Sequence, residues 1–467
     1  MKTWFEEMVL EPIRRSIVEF ADRNAFFIAG QYYTYKQFGT TVKTVREKVR
    51  QSKDAVLALE IRDDLETYAT IVALWMENKA FVPVNPHHPK ERNENIINLI
   101  QTNEVGRYKD ELAYVLFTSG STGVPNGVAI SRKNVAAFMD SFWKTGIQVT
   151  EEDRCLQCFD LTFDVAIQSF LVALTRGACV YTVPYGQVKY LQAASLIHEH
   201  HVTFGAMAPS MLTYLRPYFP ELDASSFKTC ILTAEACPVD LIDAWFDCAK
   251  NVEIYDFYGP TEATVYCTFY KCTRGNNLAS NGIVSIGKPL ANVLAIIVGD
   301  DGREIVDAGQ KGELCLSGAQ VTQGYWGNPE KNQTAFFIME RDGMAQSFYR
   351  TGDLCHWDAS GNIMYDGRID QQAKIQGFRV ELGEIEYHAR LFLGSQSRVA
   401  ALAFKNDQQI TEIALYIEKE EELSAPLLAY LREKMPPYMI PNRIVYLPEF
   451  PLNSSEKVDR VKLKSLL

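Results

Sequence analysis

The chain has 467 residues, too many for one hydrophobic core, so two or three structural units are expected. Its 47% hydrophobic and 22% charged content is that of an ordinary globular protein, and a net charge of −11 argues against general nucleic-acid binding, which favours a basic face. Ten cysteines scattered without a framework fit a reducing cytoplasm. Cys155 and Cys158 have zinc-like spacing but no second such pair, so they read as buried thiols. No apolar run approaches ~18 residues, and the first residues, MKTWFEEMVLEPIRR, carry acids inside their apolar part, so neither a membrane span nor a signal peptide is expected.

From residue 55 the pattern alternates. AVLALE (55–60) reads as a strand, LETYATIVALWMENK (65–79) as an amphipathic helix and FVPVNP (81–86) as a strand into a turn. AYVLF (113–117) reads as a buried strand. Further on, helices are expected at 164–177, 188–201, 211–218 and 241–250. They are interleaved with strands at 178–183, 203–208, 228–232 and 252–257. Strand–helix alternation at this spacing predicts parallel βαβ units with helices on both sheet faces, and ligands in such sheets bind beyond the carboxyl ends of strands. From about 280 glycines punctuate short strands, which predicts a smaller β-rich unit. From about 371 a compact α+β tail is expected, with strands at 399–405 and 412–418 and a helix at 424–435. The fold class is therefore α/β: a large domain over 1–369 with a β-rich subdomain, and a small α+β domain over 370–467, with the charge- and glycine-dense GRIDQQAKIQGFRVELGEIE (367–386) a candidate hinge that would make it mobile.

TSGSTGVPNG (118–127) packs four hydroxyls and three glycines into ten positions directly after the 113–117 strand. Successive backbone N–H groups in such a turn form an anion-binding nest, and Ser and Thr hydroxyls add donors. The absence of Gly-Lys-Ser/Thr at the required spacing excludes a Walker A loop. Elsewhere, DFYGPTEATVY (256–266) offers Tyr258 for stacking on a base and Glu262 for a hard cation. YRTGDL (349–354) offers Asp353, a bidentate acceptor suited to a sugar diol, and NSSEKVDR (453–460) presents Lys457 in a turn-like setting. Each motif alone also fits a surface turn. The histidines of HEHH (198–201) lack the spacing and further ligands of a zinc site and read as an exposed helix end.

TSGSTGVPNG, YGPTEAT, GELCLSG, YRTGDL, GRID, KIQGFRVELGEIE, PPYMIP and KVDR occur in this order, and together they resemble the adenylate-forming enzyme superfamily over roughly the whole chain. That superfamily includes acyl-CoA synthetases, luciferases and peptide-synthetase adenylation domains. The spelling of KIQGFRVELGEIE and PPYMIP looks most like its amino-acid-activating branch, with peptide-synthetase adenylation domains and D-alanine–carrier protein ligases. The resemblance implies an ATP-dependent ligase using Mg²⁺. It would activate an amino acid as its adenylate and pass it to the phosphopantetheine thiol of a carrier protein.

By the same resemblance, the loop residues Thr118, Ser119, Gly120, Ser121, Thr122 and Gly123 would hold the β- and γ-phosphates. Tyr258 would stack on adenine, Asp256 would sit by the adenine amino group, and Gly259 and Thr261 would complete that nucleotide segment. Glu262 would bind Mg²⁺, Asp353 would grip the ribose with Arg368 nearby, Asp370 would be the hinge, and Lys457 the catalytic lysine. Asp164, in the second Phe-Asp pair of QCFDLTFDVAIQSF (157–170), would receive the substrate's α-amino group, or it could be the N-cap of the following helix. Val165, Gln168, Ala206, Ile231, Thr233, Phe257, Val265 and Tyr266 would line the side-chain pocket, whose bulky Phe257 and Tyr266 favour a small or medium side chain.

Three features depart from the pattern. The loop has Pro125-Asn126-Gly127 where Pro-Lys-Gly is usual, Glu456 precedes Lys457 where a glycine is usual, and only 29 positions separate Pro89 from Thr118, which suggests a trimmed element there. The last residues follow KVDR closely, so the carrier is expected to be a separate protein, docking on a basic patch of Arg460, Lys462 and Lys464. An acyl-CoA or aryl-acid ligase of the same fold, or a degenerate nucleotide-binding member, are the alternatives.

Overall fold

A computed structural model describes residues 2–102, 112–120, 124–341, 343–370, 372–394, 397–419, 423–452 and 458–467. The chain divides into two compact units. The larger holds Met1–Val84, Thr102–Leu116 and Gly127–Ile369; the smaller holds Asp370–Leu467 together with Asn85–Gln101 and Phe117–Asn126.

In the larger unit the expected alternation is present. A nine-stranded sheet has a parallel centre, with Glu253–Tyr258, Thr229–Thr233, Phe204–Met207, Arg154–Gln157, Cys179–Thr182 and Asn24–Ile28 side by side, and antiparallel edge strands at both ends. Parallel strands need crossover helices, and Asp164–Leu174, Lys189–His200, Pro209–Leu215 and Val239–Cys248 supply them. A four-stranded sheet of Val56–Glu60, Ala80–Val84, Leu112–Thr118 and Asn126–Ser131 stands apart from it. Helix starts are set locally. Asp64 caps Leu65–Met76 by accepting from Thr67 N–H at 2.8 Å, and capping boxes open Tyr35–Gln51 (Thr34 with Gln37) and Arg132–Lys144 (Ser131 with Asn134).

Asp164–Leu174 is buried at every position, as an all-round apolar helix must be, and so carries its first turn into the protein interior. The expected β-rich segment forms a six-stranded sheet built on Val293–Val298, Gly312–Gly318, Met344–Trp357 and Ile363–Arg368. In the smaller unit, strands Val399–Lys405, Thr411–Glu418 and Arg443–Leu447 pack helices Leu382–Leu393 and Ser424–Lys434 around Val380, Ile385, Leu415, Leu427 and Leu431. Helix Lys90–Thr102 occupies the stretch after Pro89 that the sequence marks as trimmed. Cys155 and Cys158 are buried free thiols, and burial pushes the Cys158 thiol up to about 12, the behaviour of an inert structural cysteine.

Candidate active site

Strand Glu253–Tyr258 ends in a backbone that only tertiary support can hold. Thr264 (φ 56°) and Val265 (φ 69°) are β-branched residues in the left-handed region, a conformation costing about 1–3 kcal/mol each. Gly259 makes the turn possible, since a Cβ there would meet the Val265 carbonyl oxygen at 2.3 Å. Gln320 clamps the segment: its backbone carbonyl accepts from Thr264 Oγ1 at 2.5 Å, and its Nε2 donates to the Tyr266 carbonyl at 2.6 Å. The resulting bend sets Tyr258, Glu262 and Tyr266 in three different surroundings.

Tyr258 donates its hydroxyl to Asp353 Oδ2 at 2.5 Å. Asp353 lies on Met344–Trp357 directly opposite Arg368, whose guanidinium reaches Asp353 Oδ1 at 2.9 Å and the Thr351 carbonyl at 2.8 Å. Burial, and then the Asp353 charge, push the Tyr258 hydroxyl well above its ordinary range, so it stays a donor. Asp353 is 2% exposed and paired on both oxygens. Asp256 is buried two residues before Tyr258 on the same strand.

Glu262 is fully buried in a short 3-10 turn, Thr261–Ala263. Its Oε1 accepts from Tyr325 OH at 2.5 Å, and its backbone carbonyl accepts from Thr322 N–H at 2.8 Å. Tyr325 and Gln320 escape sequence reasoning because both sit more than fifty residues from the groups they hold; the glycine-flanked GYWG is their only local signal.

Asp164 stands at the first turn of Asp164–Leu174, buried in an apolar setting. It is not the helix N-cap: that position is Phe163, and no side-chain cap bond forms. Its neighbour in sequence, Asp160, is a turn residue whose Oδ1 accepts from Thr162 N–H and Oγ1, each at 2.8 Å. Burial raises the Asp164 carboxyl to about 6, against a hydrogen bond from Thr261 and with a further push from the Glu262 charge. Its Oδ2 has no partner among the described residues. One turn on, Gln168 is likewise buried, with its Oε1 accepting from Tyr266 OH at 3.4 Å. Val165, Ala206, Ile231, Phe257, Val265 and Tyr266 belong to the same buried cluster, and Thr233 reaches Tyr266 through its hydroxyl. These residues come from five separate segments of chain, and the side-chain contacts among them that the structure gives run through Tyr266, to Gln168, Phe257 and Thr233.

In the smaller unit, Ser119 Oγ donates to the Arg379 carbonyl at 3.0 Å and accepts from Glu381 N–H at 3.0 Å. Gly120 N–H donates to Glu384 Oε2 at 3.0 Å, and Glu384 Oε1 is paired with Arg92 at 2.7 Å, both side chains being buried. Within the described part of the loop, the Gly120 N–H thus donates to a carboxylate. Asn126 Nδ2 donates to the Ser119 carbonyl at 3.4 Å, so the residue in the usual lysine position is turned back on its own loop. Asp370 accepts from Gln372 N–H at 3.1 Å and is the first residue of the smaller unit's main segment. Ser121, Thr122, Gly123 and Lys457 lie outside the described residues. Of the proposed basic patch, Arg460 is bound to the buried Glu386 at 2.6 Å and to the Ala401 carbonyl, while the exposed Lys462 pairs with half-buried Asp459. Arg460 is thus a structural cation rather than a docking one. No described helix is long and apolar enough to cross a membrane.

The fold is similar to that of solved adenylation domains. The Vibrio cholerae adenylation domain AlmE, solved with glycyl-adenosine-5'-phosphate, superposes with a TM-score of 0.87 at 22% identity, covering 98% of this chain and 97% of that one. The artificially fused adenylation-PCP di-domain NpsA-ThdA of Klebsiella oxytoca superposes at 0.80 with 22% identity, covering 93% and 92%. At these identities the likeness shows the fold. Residues 101–326 match the AMP-binding enzyme family. In sequence the chain is 30% identical to tyrocidine synthase 2 of Brevibacillus parabrevis over 87% of its length, but spans 12% of that protein. It is 32% identical to delta-poly-L-ornithine synthetase of Acinetobacter baumannii over 84% of its length, spanning 28% of that protein. The resemblance to the adenylate-forming, AMP-binding superfamily implied by the ordered motifs is thus met, and the chain corresponds to one part of much longer curated relatives.

Proposed function

We propose that this chain activates an amino acid with ATP, forming an aminoacyl adenylate and pyrophosphate, and passes the acyl group to the phosphopantetheine thiol of a separate carrier protein. The observation that carries the amino-acid assignment is Asp164: a buried carboxylate among apolar residues with one oxygen unpartnered among the described residues. An isolated buried charge is costly, and an incoming ammonium offsets that cost while an amine-free acid leaves it standing. The relatives named above, and the glycyl adenylate in the AlmE structure, support the same reading.

In this reading a substrate carboxylate oxygen bonds to the α-phosphorus as the bond to pyrophosphate breaks. Asp353, held by Tyr258 and Arg368, accepts from the ribose hydroxyls, while Tyr258 and Asp256 border the adenine. Ser119 and Gly120 contribute to the polyphosphate cradle. Glu262 fits a magnesium site, since Mg²⁺ takes one or two protein carboxylates and completes its shell with water and phosphate oxygens. The ion supplies neutralisation of the phosphate charge. Lys457 serves as a second cation on the transferring phosphoryl group. Thiol attack on the acyl carbon then expels AMP, with Asp370 as the hinge about which residues 370–467 reorient as a lid over the 1–369 domain between the two steps.

Amino-acid-dependent exchange of pyrophosphate into ATP tests the proposal, run on a panel of amino acids beside fatty and aryl acids. Exchange with amino acids, lost in Lys457→Ala with ATP binding retained, is the expected result. Exchange driven only by acids without an amine, or none at all, would sink it.

A further inference from the structure

We infer that Asp366, together with His356 and Lys311, forms a register lock that positions Arg368 on the ribose-holding carboxylate Asp353. The three are positioning residues: they act through Arg368 and not on substrate. This rests on the assignment of Asp353 to the ribose.

The strand pairing shows why a lock is needed. Ile363–Arg368 runs antiparallel to Met344–Trp357, with Trp357 opposite Ile363, His356 opposite Met364 and Cys355 opposite Tyr365. Continued one residue at a time, that register would set Asp353 opposite Gly367 and Arg368 opposite Gly352. The observed pairs are instead Leu354 with Gly367 and Asp353 with Arg368. Asp366 is the extra residue of a β-bulge, and Gly367 takes a φ of 131° beside it, a conformation that favours glycine. Successive side chains of a strand alternate between faces. Without the bulge, Arg368 would therefore be carried to the face opposite Asp353.

The Asp366 side chain, 1% exposed, holds the bulge in place. Its Oδ2 accepts from His356 Nδ1 at 2.5 Å, and since a carboxylate only accepts, that ring nitrogen carries the proton. Lys311 Nζ lies 2.6 Å from Oδ1, paired in charge although off hydrogen-bond alignment. His356 belongs to the facing strand. Lys311 directly precedes Gly312–Gly318, which pairs with that same strand, Gly312 lying opposite Cys355. One buried carboxylate thus ties three strands together at the point where the register changes. Moving the bulge by one residue would pull Asp366 off both partners and leave a charge buried alone, which is costly. The bulge is therefore held at 366, and Arg368 is delivered to Asp353 Oδ1 two residues further on.

The test compares ATP with 2′-deoxy-ATP and 3′-deoxy-ATP in pyrophosphate exchange with the full chain and the best amino acid of the panel. Wild type should prefer ATP over at least one analogue by about tenfold or more in kcat/KM, because a site built to bind a hydroxyl rejects the analogue lacking it. Asp366→Asn, equal in size and without the charge, should cut that preference by about threefold or more. It should raise the ATP KM and leave the amino-acid KM unchanged. His356→Leu should do the same, and His356→Gln, whose amide can still donate to Asp366, should restore most of the preference. The His356 pair decides should Asp366→Asn fail to fold. A role in stability alone would lower the melting temperature and leave the ratio of ATP to deoxy-ATP where it is. That outcome, or a loss shared equally by both KM values, overturns the inference while leaving the adenylation reading intact. Wild-type exchange without preference for ATP over either analogue removes Asp353 from the ribose and overturns the inference with it. No exchange with any amino acid overturns the adenylation reading as well.

Discussion

Two buried polar clusters in the larger unit differ in one respect. The Asp353 cluster is complete in itself: both carboxylate oxygens are paired, with Tyr258 and Arg368, and Arg368 also holds the Thr351 carbonyl. The Asp164 cluster is unfinished, with Asp164 Oδ2 and Gln168 Nε2 both buried and unpartnered among the described residues. Buried polar groups in native proteins are nearly always satisfied, so the first arrangement is held in place before any ligand arrives, and the second leaves polar atoms for a ligand to satisfy. The two should therefore respond oppositely to truncation.

The largest effect is expected at the complete cluster. Arg368→Ala leaves the Asp353 carboxylate buried with one partner, and should lower unfolding free energy by about 3–5 kcal/mol, read by urea denaturation. Should stability hold, the cluster is not the support described here. Asp164→Ala should show the reverse pattern. Amino-acid kcat/KM should fall by two to three orders of magnitude, since truncating one partner of a buried charge pair costs roughly 2–5 kcal/mol, while the ligand-free melting temperature stays level or rises. A lower melting temperature would mean that Asp164 is satisfied in the free protein.

The pH dependence sharpens the same contrast. Burial raises the Asp164 carboxyl to about 6 from its ordinary value of 3.8, so between these values the folded state holds the extra proton. This group should stabilise the ligand-free protein as pH falls through that window and cost stability above it. The melting-temperature difference between wild type and Asp164→Asn should therefore narrow from pH 7 to pH 4. Only the ionised form pairs with an ammonium, so the amino-acid KM should climb below about pH 6 in wild type, and a flat KM over pH 5–8 would remove Asp164 from the ammonium site. The smallest effect is expected at the glycine loop. Asn126→Lys replaces a long 3.4 Å hydrogen bond to Ser119 with a cation, and a few-fold gain in kcat/KM for ATP is expected in exchange kinetics.

Much of the fold was legible from periodicity. Val399–Lys405 lies where its alternation predicts, and the helices of the βαβ region fall within a few residues of their apolar patterns. The departures have local causes. The helix beginning at 65 ends at Met76 rather than 79, because Asn78 takes a positive φ of 57° and Lys79 N–H turns back to the Leu74 carbonyl. In sequence Asp164 reads as an ammonium partner that could also serve as the helix N-cap, and the structure places Phe163 at the cap.

Composition and order alone determined the residue types of the site: a hydroxyl-rich glycine loop after a strand, a carboxylate in YRTGDL, a buried-helix carboxylate in DVAIQSF. These follow from backbone freedom, polarity and periodicity, which are properties of short segments. Which polar groups find partners is a different question. That Tyr325 holds Glu262, that Arg368 completes Asp353, that Arg460 is held by Glu386 and that Gln168 is left with an unpaired donor were decided by side chains packing across 15 to 98 positions of sequence. Hydrogen bonding is short-ranged and directional, so its satisfaction is settled only when distant segments are brought within about 3 Å of one another.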